Sequence, residues 1–210
     1  MYKKRKICLC ISSDLGIKVY NLINNKNNQI DIFSTKKFKN LKKVSICKNK
    51  NIFYQELKKK NIVYDFIILV YWPYIVGKKV FNFFQDSINF HPSYLPYGRG
   101  WYPHIHSINR NFPWGVSLHK INSDVDGGDI WCRKKIKIKD FLTSDQLYEI
   151  GKKEIFNLFK RNFKKILCNK INAKKQARKT KFLKISDIEK YNEIKLNQKL
   201  KLKFFIKLLM

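Results

Sequence analysis

Phe66-Ile67-Ile68-Leu69-Val70 is an unbroken apolar run set between Tyr64-Asp65 and Tyr71-Trp72-Pro73. It is too short for a helix and lacks the alternation of a half-exposed strand. It therefore reads as a strand buried on both faces, as in a parallel sheet covered by helices. Lys6-Ile7-Cys8-Leu9-Cys10-Ile11 has the same character and ends at Ser12-Ser13-Asp14. Leu15, Val19, Leu22 and Ile23 then recur at helical spacing, which makes a strand–turn–helix unit. Ile30–Phe33 and Val44–Cys47 read as short strands and Phe53–Lys60 as a weaker helix. Gly77–Gln85 reads as a helix with Val80, Phe81 and Phe84 inward, and Ser87–Phe90 as a strand stopped at His91-Pro92. Strands alternating with helices predict an open, mostly parallel α/β sheet whose ligands sit beyond the carboxyl ends of its strands. Asn89 and His91 fall at such an end.

Further on, Trp114–Ile121 and Ile130–Ile138 are predicted strands flanking the turn Asp126-Gly127-Gly128. Thr143-Ser144-Asp145-Gln146 has the form of a capping box. It opens a helix whose apolar stripe runs Leu147, Ile150, Ile155, Leu158, Phe159, Phe163, Ile166 and Leu167. Asn172–Lys181 is polar and basic, a linker by composition. The remainder to Met210 is amphipathic and basic, and reads as a packed terminal element rather than a membrane-surface helix. Residues 1–170 then form the main domain, and 171–210 a basic linker with a short C-terminal appendage.

At 210 residues, 44% hydrophobic and 15% aromatic, the chain can bury a full core. Its formal charge of +30 invites a nucleic-acid reading. Yet there are 39 Lys against 6 Arg, with 27 Ile, 20 Asn and only 2 Ala, the imprint of an AT-rich coding bias. Phosphate-gripping proteins lean on Arg for its bidentate geometry. Most of this charge is expected to be solvated surface that steers anionic substrates inward, with nucleic acid as the second choice of partner. Cys8, Cys10, Cys47, Cys132 and Cys168 show no metal-ligand spacing and read as reduced thiols of a cytoplasmic protein. No metal is expected. The apolar run after Met1-Tyr-Lys-Lys-Arg-Lys is too short for a signal core or a bilayer span.

Asn89 and His91 are two apart at a strand end, so their side chains point the same way. Asp126 lies in a glycine turn that leaves room for a ligand against the main chain. An amide, an imidazole and a carboxylate are the parts needed to move a small acyl group onto an amine. Asn89 can donate to the oxyanion, His91 can shuttle protons, and Asp126 can raise the imidazole pKa and accept a proton. Taken singly, His91 could satisfy a carbonyl, Asp126 could be a turn former and Arg99 a loop salt bridge. Their joint spacing favours chemistry.

Asn89-x-His91-Pro-Ser-x-Leu95-Pro-x-x-Arg99-Gly, followed by Gly115-Val-Ser-Leu-His119 and Val125-Asp-Gly-Gly-Asp129-Ile, resembles the folate-dependent formyltransferases. The resemblance implies a Rossmann-like sheet with helices on both faces and a formyl donor, 10-formyltetrahydrofolate. It places the catalytic Asn, His and Asp on Asn89, His91 and Asp126. The pterin pocket falls on Tyr74, Ile75 and Val76 and on Asn122, Ser123, Asp124 and Val125, with Ser117 and His119 lining the same region. Three subfamilies differ in acceptor. The glycinamide ribonucleotide enzymes need a glycine-rich phosphate loop where this chain has Ser12-Ser13-Asp14-Leu15-Gly16. The methionyl-tRNA enzymes carry a C-terminal barrel for which the residues after Lys170 are too few. Pro96-Tyr-Gly-Arg-Gly-Trp-Tyr-Pro-His104 looks like the loop of enzymes that formylate amino sugars on a nucleotide diphosphate, and Lys184–Leu209 is similar to the elements that follow their core. That match implies Trp101 and Tyr102 against the base or sugar and Arg99 at the pyrophosphate. A methionyl-tRNA enzyme without its barrel, or a non-catalytic folate- or RNA-binding relative, stays as the alternative. Oligomeric state is open, a homodimer among the options.

Overall fold

The structure, a computed structural model, describes residues 4–110, 112–138, 142–177 and 180–187. The run that decided the fold is β4 (Tyr64–Val70), and it lies near the middle of a seven-stranded sheet. On one side stand β1 (Arg5–Ile11), β2 (Asn28–Ser34) and β3 (Val44–Ile46); on the other β5 (Phe84–His91), β6 (Gly115–His119) and β7 (Ile130–Lys135). The order is β3-β2-β1-β4-β5-β6-β7, parallel from β3 through β5 and antiparallel at the β5–β6 and β6–β7 joins. This is the Rossmann-like arrangement expected.

Both faces are covered. Alternate residues of β1 divide between two cores. Ile7, Leu9 and Ile11 meet α1 (Asp14–Ile23) and α4 (Ser144–Leu167), while Cys8 and Cys10 meet α2 (Lys50–Lys60) through Phe53 and Leu57. Ile7 through Ile11 have no exposed surface. Each such side chain contributes about 1.5–3 kcal/mol relative to exposure, which is why a strand with no polar face is stable only here. The capping box at α4 forms as read: Gln146 N–H donates to Thr143 Oγ1 at 3.2 Å, and Thr143 N–H to Gln146 Oε1 at 3.0 Å. Of the stripe, Leu147, Ile155, Phe159, Phe163, Ile166 and Leu167 are buried, and Ile150 and Leu158 half-buried. All five cysteines are free thiols.

The stretch expected as a helix over Gly77–Gln85 is different. Only Lys78–Phe83 turns, as a 3-10 segment, and Phe84 already opens β5 opposite Tyr64. The apolar spacing could not reveal that pairing, because Phe81 and Phe84 stand three apart, as on one face of a helix; in the structure they touch edge-on, 5.9 Å between ring centres. Val80 is buried as expected. Helix α3 (Pro103–Arg110) was not predicted; it is eight residues long, with Pro103 at its first position, where a missing N–H costs nothing. Residues 188–210, including most of the expected appendage, lie outside the described residues.

His104 on α3 is buried, and burial pushes its imidazole down to about 4, against the opposing pull of Asp145. The folded protein thus keeps His104 neutral while the unfolded chain protonates it near 6.5. Stability from this site is whole above about pH 6.5 and falls by about 1.4 kcal/mol per pH unit down to about pH 4, roughly 3 kcal/mol in all. His104→Gln should flatten the acid limb of melting temperature against pH. An unchanged limb would show that the imidazole titrates normally.

Candidate functional site

A cavity of about 480 Å³ opens where β4 and β5 end. β5 delivers Asn89 and His91 to it, the segment after β4 delivers Tyr71–Val76, and the loop between β6 and β7 delivers Asp126. Because β5 is extended, Asn89 and His91 share one side, and Asp126 lies across from both. Asn89 Nδ2 is 3.4 Å from Asp126 Oδ1, and His91 Nδ1 is 3.6 Å from Asp126 Oδ2. The second distance is too long for a hydrogen bond, so Nδ1 is close to the carboxylate without being locked to it.

The partners fix protonation. His91 Nε2 is 2.9 Å from Gly98 O, an acceptor, so Nε2 carries the proton and Nδ1 presents a lone pair in the neutral ring. His119 Nδ1 is 2.7 Å from Lys120 O and must likewise donate. His119 Nε2 then accepts from Asn89 Nδ2 at 3.0 Å and sets the orientation of that amide. The remaining Nδ2 hydrogen has only the long contact to Asp126.

Asp126 is held from several directions. Its φ of +52° lies in the left-handed region that non-glycine residues rarely adopt. Gly127 N–H donates to Asp124 O, and Gln176 Nε2 donates to both Asp126 O and Gly128 O, each at 2.8 Å. Arg99 gives Nε and Nη2 to Val125 O, and Gly100 N–H reaches Asp126 Oδ2 at 2.9 Å. Gly100 (φ +99°) is needed as glycine: a Cβ there would stand 2.3 Å from Leu183 O.

Burial lowers the His91 pKa below its ordinary value, partly offset by the Asp126 charge. Burial would raise the Asp126 carboxyl, but His91, then His119 and the Gly100 N–H, outweigh it and hold the group well below the usual carboxylate range. At neutral pH the site is a carboxylate facing a neutral imidazole.

Of the other sequence-predicted residues, Tyr74, Ile75, Val76, Asn122, Ser123, Val125, Trp101 and Tyr102 line the cavity. Three do not. Asp124 uses its carbonyl within the turn. Arg99 is buried on Val125 rather than presented to a pyrophosphate. Ser117 has no exposed surface; it donates to Ser93 O and accepts from Leu95 N–H, fixing the chain after His91 instead of touching a ligand. The wall around Tyr74–Val76 suits a flat polar heterocycle. It is aromatic and open, with Ile75 61% exposed, and Trp72 Nε1 is buried there without a partner. The sequence pattern missed His119 as the holder of Asn89, and Gln176, which lay in an apparent linker. A lone Gln in a polar run gives no signal. Among the described residues no His/Cys/Asp/Glu group could hold a metal, and no helix is long and apolar enough to cross a membrane.

A family model described as formyl transferase matches residues 3–161. Among solved structures, a 4-N formyltransferase from Francisella tularensis is similar, with 25% identity and a TM-score of 0.85 over 98% of this chain and 87% of that one. The formyltransferase PseJ from Anoxybacillus kamchatkensis, solved with UDP-4,6-dideoxy-4-formamido-L-AltNAc and tetrahydrofolate, has 26% identity and a TM-score of 0.70 over 89% of both chains. The dTDP-4-amino-4,6-dideoxyglucose formyltransferase of Mycobacterium bovis is 34% identical over 61 residues, which is 29% of this chain and about a quarter (26%) of that protein's length.

Proposed function

The chain belongs to the formyl transferase family, and from that premise we propose that it moves a formyl group from 10-formyltetrahydrofolate to the primary amine of a nucleotide-linked amino sugar in the cytoplasm. The observation that carries this is the meeting of Asn89, His91 and Asp126 around one cavity, with Asn89 and His91 each within 3.6 Å of the carboxylate. Tyr74, Ile75, Val76, Asn122, Ser123 and Val125 hold the donor, and Trp101 and Tyr102 face the acceptor.

The donor supplies an electrophilic formyl carbon on nitrogen; no enzyme nucleophile is required. Asn89 turns its weakly held Nδ2 hydrogen onto the formyl oxygen as negative charge builds there, while His119 keeps the amide in place. Asp126, ionised, draws the proton from the attacking amine. His91 accepts and passes on that proton at Nδ1, its ring fixed by the Nε2–Gly98 bond. One N–C bond forms and one breaks. The amine loses one proton and the departing nitrogen gains one, so the site ends in the state in which it began.

The test is formylation of a panel of dTDP-, UDP- and GDP-linked 3-amino and 4-amino sugars by purified protein with 10-formyltetrahydrofolate. Product is expected on at least one. Formylation of charged initiator tRNA, with none on any amino sugar, would move the assignment to the tRNA class. Folate binding without any turnover would make it a non-catalytic relative.

A further inference from the structure

The cavity straddles the sheet edge, and its walls come from opposite faces. Trp72 packs into the α2-side core, 5.2 Å from the Phe53 ring and 5.2 Å from Tyr74, and Ile121 and Val76 belong to the same core. Tyr71, its neighbour in sequence, packs instead into the core beneath α1 and α4. Its ring lies 5.8 Å from Tyr148 on α4, which lies 5.5 Å from His104 on α3. His104 continues to Tyr102 at 6.1 Å, and Tyr102 to Trp101 at 6.2 Å. The two sets of ring contacts share no member. With the donor assigned to the α2-side wall, the aromatic arc on the α4 side is a second, separate surface of the same cavity.

Its polar groups define what it can hold. Asp145, exposed in the first turn of α4, lines the cavity beside Tyr148. His104 Nδ1 and Tyr71 Oη are buried with no hydrogen-bond partner, a costly state in an unliganded protein. Flat ring faces accept the C–H faces of a pyranose, and a carboxylate accepts hydrogen bonds from hydroxyls. The same carboxylate repels a diphosphate, and Arg99, the nearby guanidinium, is buried on Val125. This surface is suited to the sugar ring and not to the nucleotide.

We propose that Tyr102, His104, Asp145 and Tyr148 form the subsite for the hydroxyl-bearing sugar ring of the acceptor, with Asp145 accepting from one ring hydroxyl and the Tyr148 hydroxyl donating to another. The inference rests on the proposed amino-sugar reading and adds which wall reads the sugar. The diphosphate and base then extend away from Asp145.

The test uses Asp145→Asn and Tyr148→Phe, neither of which removes a core contact. Each should raise the acceptor KM by about tenfold or more, the loss expected for one charge-assisted or buried hydrogen bond, with the folate KM unchanged. Calorimetry without formyl donor should show the amino-sugar nucleotide binding each variant correspondingly more weakly, and the bare nucleoside diphosphate binding wild type and variants alike. Equal loss of affinity for the bare nucleoside diphosphate would assign this wall to the nucleotide and overturn the inference. So would variants that bind and formylate the amino sugar as wild type does, and that outcome leaves the activity itself standing. Absence of any amino-sugar formylation by wild type removes both.

Discussion

Asp126→Asn is expected to lower kcat by roughly 10²–10⁴-fold, the usual span for loss of a general base, with both KM values within a few-fold of wild type. The substitution is nearly isosteric. An Asn at this position can still accept from Gly100 N–H and can keep the backbone held by Gln176 and Arg99. What it lacks is charge. The carboxylate is the group that raises the imidazole of His91 against the lowering effect of burial. In the variant His91 should therefore titrate at a lower pH than in wild type, readable from its ring resonances by NMR. Acid stability gives an independent sign. A carboxyl held below its ordinary 3.8 contributes stability that is present above about pH 4 and lost as pH falls through the folded-state value. Asp126→Asn should lack that part of the acid limb. A variant with near-normal turnover and an unmoved His91 would mean that Asp126 is only a turn former.

How much of this was legible in the sequence depends on how far apart the cooperating residues lie. β1 and β4 could be read because five consecutive apolar residues have few other homes, and α4 because its cap and stripe are both local. The meeting of Asn89, His91 and Asp126 could be read because strand periodicity fixes Asn89 relative to His91 and because glycines mark the Asp126 turn. The residues whose surroundings could not be read are those whose partners are distant in sequence. Ser117 looks like a pocket serine until Ser93 O and Leu95 N–H claim its hydroxyl, and Arg99 looks like an anion binder until Val125 O takes its guanidinium. Gln176 is the opposite case: it sits in what composition calls a linker, yet it closes on Asp126 from 50 residues away. The 3-10 segment at Lys78–Phe83 failed for a related reason, since the Tyr64–Phe84 pairing that ends it is a tertiary fact. Local patterns fix elements; functional side chains are assigned by whatever reaches them across the fold.

His91→Ala should abolish most turnover, again roughly 10²–10⁴-fold, but through a different physical loss than at Asp126. The ring occupies a buried position between Gly98 O and the Asp126 carboxylate, so its removal deletes the proton carrier and, in acid where the ring is charged, the largest of the influences that lower the Asp126 pKa. The Asp126 pKa should therefore rise in the variant, and at neutral pH the carboxylate, still ionised, loses the ring to which it passes its proton. The double variant His91→Ala/Asp126→Asn should then be little worse than either single one, as for residues that act as a unit. The pH profile separates this from simple misfolding. Wild-type kcat/KM needs a neutral His91, whose pKa is depressed, so its acid limb from this group should lie below about 6.5. That limb should vanish in His91→Ala, and added imidazole should restore part of the rate if the emptied site admits it. A variant that folds, binds folate and keeps a rate within tenfold of wild type would show that the ring only satisfies the Gly98 carbonyl, and the proton path would have to run through Asp126 alone.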